Sequence, residues 1–158
     1  MTRKRFIIAL FLVLAGLTSY LLLKPKPLSD REAIQLLFQN ALRGIRERNP
    51  SLLLSLLSEN YQDSMGITYN DIKLNLRREL SRAVVLDLSI NEMTPYITTP
   101  DASVQLNCTL LIQMDDMNQP LLIPLSLSVY LKKEKKGWKI IRIEGYNQAA
   151  EKVYGVEF

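Results

Sequence analysis

Histidine is absent from the 158 residues, so no imidazole can serve as a base, a triad member or a zinc ligand. Any chemistry must come from carboxylates, phenols, amines and one thiol. Tyr61 and Asp63 place a phenol and a carboxylate two positions apart. Inside a cavity they would form an acid–base pair; in a turn they need no chemistry. Asp87 and Asn107 interrupt long alternating segments out of phase with the apolar set, and so should point away from the helices. Cys108 falls in the apolar register and reads as a small buried hydrophobe. Asp115-Asp116-Met117-Asn118 lacks the alternating carboxylates and distal Glu of a calcium loop and reads as a hairpin turn. Gly66 and Gly137 stand alone, so no phosphate-cradling motif exists. No metal or cofactor is expected. Lys132, Lys133, Lys135 and Lys136 form the densest charge cluster. They suit a solvated hairpin tip, or a contact with a partner or anionic headgroups at about 1 kcal/mol per Lys.

These residues must be positioned by elements that periodicity predicts. Ser29-Asp30-Arg31-Glu32 is a capping box, and Ile34, Leu37, Phe38, Ala41, Leu42 and Ile45 continue from it as one apolar helical stripe. Asn49-Pro50 stops that helix and starts a short greasy one. Thr68 caps a third, with Asp71 three residues on and Tyr69, Ile72, Leu76, Leu80 and Ala83 as its stripe. Lys73, Arg77, Arg78 and Arg82 gather on its opposite side, a solvated face or a basic contact surface. The period then changes from 3.6 to 2. Alternation over residues 84–91, 102–114, 121–133 and 138–146 predicts four long antiparallel strands covered on one face. Pro124 inside the third implies a bulge or an edge. The expected class is α+β, three helices packed on one face of a curved sheet.

Upstream, Phe6 to Leu23 runs for eighteen residues without a charge, enough to span about 27 Å as a helix. Apolar character continues past any cleavage point, and there is no Ala-x-Ala, so an uncleaved single-pass anchor is expected rather than a signal peptide. Arg3, Lys4 and Arg5 precede it and favour a cytoplasmic tail at 1–5. Residues 24–28 form a Lys/Pro linker, and 29–158 would then be extracytoplasmic (periplasmic in a Gram-negative cell), within roughly 15 Å of the headgroups. Setting aside the five basic residues that flank the apolar run leaves 15 basic against 16 acidic, so the overall +4 marks no nucleic-acid face. A chain 47% hydrophobic and 23% charged is neither disordered nor low-complexity.

The long helix, the greasy one, Ser58-Glu59-Asn60-Tyr61-Gln62-Asp63-Ser64-Met65-Gly66, the capped third helix and a meander reaching Gly137-Trp138-Lys139-Ile140 resemble the nuclear-transport-factor-two-like superfamily, also called SnoaL-like or cystatin-like cones. The resemblance covers roughly residues 29–146. It implies a cone, in some members a ligand pocket, and dimerisation through the outer sheet face. It implies no single function, because isomerases, dehydratases, binding modules and assembly proteins share the fold. Absent histidine removes Asp–His pairs. A non-catalytic interaction domain is therefore the expectation, an accessory or assembly subunit of a membrane complex, akin in layout to a type IV secretion component. Its partner would be a membrane protein or a second copy. The alternative is a small-ligand binder or isomerase-like enzyme with Tyr61, Asp63 or Asp87 in the cone.

Overall fold

The computed structural model describes residues 28–146. The expected membrane segment, cytoplasmic tail and most of the linker lie outside the described residues. Helix α1 (Asp30–Arg46) begins where Ser29 and Glu32 cap each other: the Glu32 amide donates to Ser29 Oγ at 3.3 Å, and the Ser29 amide donates to Glu32 at 2.8 Å. Its stripe buries Ile34, Leu37 and Phe38. Helix α2 (Pro50–Leu56) follows the Asn49 cap, whose Oδ1 accepts from the Leu52 amide at 3.0 Å. It crosses α1 at Gly44, where a Cβ would stand 2.7 Å from Leu53 Cδ2. Helix α3 (Tyr69–Arg82) repeats the reciprocal cap with Thr68 and Asp71. Leu80 is its one buried residue.

Strands β1 (Ala83–Thr98), β2 (Asp101–Met114), β3 (Leu121–Glu134) and β4 (Gly137–Glu144) pair antiparallel in sequence order. The curved meander follows from alternation. Val104 opposes Val129 and Leu106 opposes Leu127 under the helices, while Gln105 opposes Ser128 and Asn107 opposes Ser126 on the other face. Strand β1 runs seven residues past the predicted end at Asn91. A register shift between Ile90 and Glu92 inserts one residue, and beyond it the apolar parity resumes at Met93, Pro95 and Ile97. Pro124 lies in the portion of β3 that β4 does not pair, since that pairing begins at Ser128. The core sits between the sheet's inner face and α1, with Ile34, Val104, Ile123, Val129 and Leu131 at 2% exposure or less. No helix among the described residues is long and apolar enough to cross a membrane.

Candidate functional site

The three helices do not fill the concave face. Beneath α3 a cup of about 290 Å³ remains, lined by Phe38, Ala41, Leu42 and Ile45 of α1, Leu53 and Leu56 of α2, and Ile72 and Leu76 of α3. Its floor is Leu88, Ile90, Leu106, Leu127, Val129, Ile140 and Ile143 from all four strands. Every lining residue is apolar. The cup exists because α3 stands off the sheet: Ile72 and Leu76 are only half-buried, and Leu74 is 79% exposed. Water inside would find no hydrogen-bond partner, so the cup suits an apolar occupant.

Beside this wall the loop between α2 and α3 gathers a polar group. Asp63 is buried, and its Oδ1 accepts from the Met65 and Ile67 amides, each at 2.9 Å. Its Oδ2 accepts from the Tyr146 hydroxyl. Tyr61, also buried, directs its hydroxyl to Asp63 and receives the amide of Ile143, a residue of the cup floor. Burial first, and then the neighbouring Asp63 charge, pushes the Tyr61 hydroxyl up to about 12. Tyr146 is pushed up by burial, then by its hydrogen bond to the same carboxylate. Both phenols thus stay protonated, as donors, at neutral pH. The loop is tied to the sheet edge: the Ser58 amide donates to Ile140 O at 2.9 Å and the Gln62 amide to Ile141 O at 3.1 Å.

Of the sequence candidates, Tyr61 and Asp63 come together and Asp87 does not join them. Asp87 lies outside the cup, where Arg46 Nε reaches it at 3.0 Å. Asn107 stands in a polar ladder on the outer face, donating to Glu92 and accepting from Ser126, both at 3.0 Å. A depression of about 870 Å³ near that ladder is lined by Ser64, Asn91, Pro124, Ser126 and Glu144; Ser126 donates to Asn107 there, and Asn91 donates to Thr109. Lys133 is held 2.6 Å from Asp30, whereas Lys132, Lys135 and Lys136 are exposed. Asp115 and Asp116 each lie 3.3 Å from an Arg82 nitrogen. Among the described residues no group of His, Cys, Asp or Glu is placed to hold a metal. Sequence reasoning missed Tyr146: it lies 83 residues from Asp63, and no local spacing signals the pair.

No family model matches the chain, and no curated protein matches it by sequence. Solved structures do match. A protein from Novosphingobium aromaticivorans assigned as a scytalone dehydratase superimposes with TM-score 0.66 at 14% identity, covering 73% of this chain and 81% of its own. The hexachlorocyclohexane dehydrochlorinase LinA-type3 from Novosphingobium barchaimii gives 0.61 at 18%, covering 73% and 84%. A nuclear transport factor 2-like superfamily protein from Salmonella enterica gives 0.63 at 16%, covering 73% and 90%. Two of the three are named as enzymes, so the expectation of a non-catalytic domain is corrected. This fold carries catalysis, and a carboxylate with two phenols can move a proton without imidazole. What the chain shares with these proteins is the fold, the cone of the nuclear-transport-factor-two-like proteins.

Proposed function

We propose that this domain takes a small, largely apolar molecule into the cup beneath α3, and that Asp63 with Tyr61 and Tyr146 handles a proton beside it. The observation that carries the reading is the cup itself, about 290 Å³ with no polar side chain in its lining. A dry apolar cavity of ~150 Å³ already suffices for benzene. The cup opens to solvent, so its apolar wall is wetted when empty, and an apolar occupant would take that wall out of water at a gain of about 25 cal/mol per Å² covered.

The reaction class follows from the polar group. A ligand atom that displaced the Tyr146 hydroxyl from Oδ2 would meet a carboxylate whose other oxygen is fixed by two amides, with the Tyr61 hydroxyl as donor. Proton abstraction and return without a cofactor is the chemistry of isomerases. The reading as an assembly subunit has no observation among the described residues in its favour.

The test uses the neutral fluorophore N-phenyl-1-naphthylamine. It should bind saturably, one per chain, and Ala41→Phe should abolish binding while the far-ultraviolet spectrum is kept. Chemistry is read by incubating a panel of small cyclic ketones with the protein in heavy water. Deuterium should enter the α-carbon of at least one, and Asp63→Asn should stop it. Absence of saturable binding would defeat the whole proposal, and binding without exchange in any ketone would defeat its catalytic half.

A further inference from the structure

The point at which the chain enters the domain is fixed against the β3–β4 hairpin. Asp30, the first residue of α1, accepts from Lys133 Nζ at 2.6 Å, Thr99 Oγ1 at 2.7 Å and Trp138 Nε1 at 3.1 Å. Those donors come from the β1–β2 turn and from both arms of the β3–β4 hairpin. Leu28, immediately before the cap, is 55% exposed at this end. Preceding it in sequence are Lys24-Pro25-Lys26-Pro27 and the eighteen-residue uncharged run, so the spacer reaches roughly 15 Å at most. A surface entered by that run would lie within that reach of Leu28, at the end of the domain where the hairpin tip stands.

The tip carries the matching charge. Lys132, Lys135 and Lys136 are exposed, and among the described residues no acid is within ion-pairing distance of any of them. Lys133 is spent on Asp30, and Glu134 accepts from Ser58 Oγ at 2.6 Å. Asp101 is the acid that opposes Lys132 in the β2–β3 register. Lys24 and Lys26 add positive charge on the approach.

We infer that the β3–β4 tip rests on an anionic lipid surface, with Lys132, Lys135 and Lys136 contacting the headgroups and Lys133 taking no part. This is independent of what occupies the cup. Each Lys near such a surface contributes about five-fold in affinity.

The full chain, reconstituted in nanodiscs of phosphatidylcholine alone or mixed with phosphatidylglycerol, is acylated with an amine reagent and read by mass spectrometry. In the anionic discs labelling of Lys132, Lys135 and Lys136 should fall about five-fold and recover at roughly 1 M salt. Lys73 on α3 is the internal reference and should not change. In the double variant Lys135→Glu, Lys136→Glu, with both changes on an exposed turn, the protection of Lys132 should vanish. Equal labelling in the two discs overturns the inference, as does a fall at Lys73 as large as that at the tip. Failure of the chain to enter the discs overturns it too, since the tip would then meet no membrane.

Discussion

The Tyr146 hydroxyl donates to Oδ2 of Asp63, joining the second residue past β4 to the loop that leads into α3. Tyr61 reaches the same carboxylate from within that loop. In an ultraviolet titration Tyr61 should hold its proton to about 12, above the ordinary tyrosine value near 10. An unfolded tyrosine ionises near 10, so this group's contribution to stability is complete below that pH. It is lost as pH rises from about 10 to about 12. Tyr61→Phe should flatten that alkaline limb; an unchanged limb would show that Tyr61 does not carry it.

Asp30 should control the acid limb. The Lys133, Thr99 and Trp138 hydrogen bonds, the first of these the strongest, lower its carboxyl from the ordinary 3.8 to about 2. Its contribution is therefore complete above about pH 4 and lost as pH falls toward 2. Melting temperatures measured across that window should fall less steeply in Asp30→Asn than in the parent chain.

Two glycines with left-handed backbone should respond unequally to alanine. Gly145, at φ +92°, would place a Cβ 2.2 Å from the Ser126 carbonyl oxygen, whereas Gly66, at φ +81°, faces open space. Gly66→Ala should cost about 1–2 kcal/mol for the conformation alone. Gly145→Ala adds a backbone clash and should cost about 3 kcal/mol or more in urea denaturation. Equal losses would contradict the close approach.

The helix over the cup should be the first to open. Helix α1 buries Ile34, Leu37 and Phe38, whereas α3 buries Leu80 alone. Amide hydrogens of α3 should exchange before those of α1, and an apolar ligand should slow α3 selectively. Leu80→Ala should cost about 2–4 kcal/mol and bring α3 exchange forward.

The helices were legible in sequence because their signals are local. A Ser–Glu or Thr–Asp cap three residues apart, or Asn before Pro, acts through backbone groups within one turn. Strand positions were legible for the same reason, until the extra residue at Asn91 reversed the parity and hid the second half of β1. The inward pairing of Tyr61 with Asp63 was open to sequence reasoning as a possibility. Tyr146 was not, since only the closing of the meander brings it there. The cup was also invisible: the residues that line it are the ordinary apolar stripes, and their failure to meet is a matter of how far α3 stands from the sheet. Likewise Asp30 reads as a spacer within a cap, and its three partners lie 69 to 108 residues away.

Those long separations set an order in time. Helix α1 is made first, yet its opening residue has no partner until Thr99, Lys133 and Trp138 exist and the last hairpin has closed. Contacts that close large loops form late. During synthesis the carboxylate of Asp30 must therefore wait for nearly the whole domain to emerge, while the greasy stripe of α1 can already pack on α2 and β1. Closing the β3–β4 turn supplies the carboxylate's last partner, Trp138.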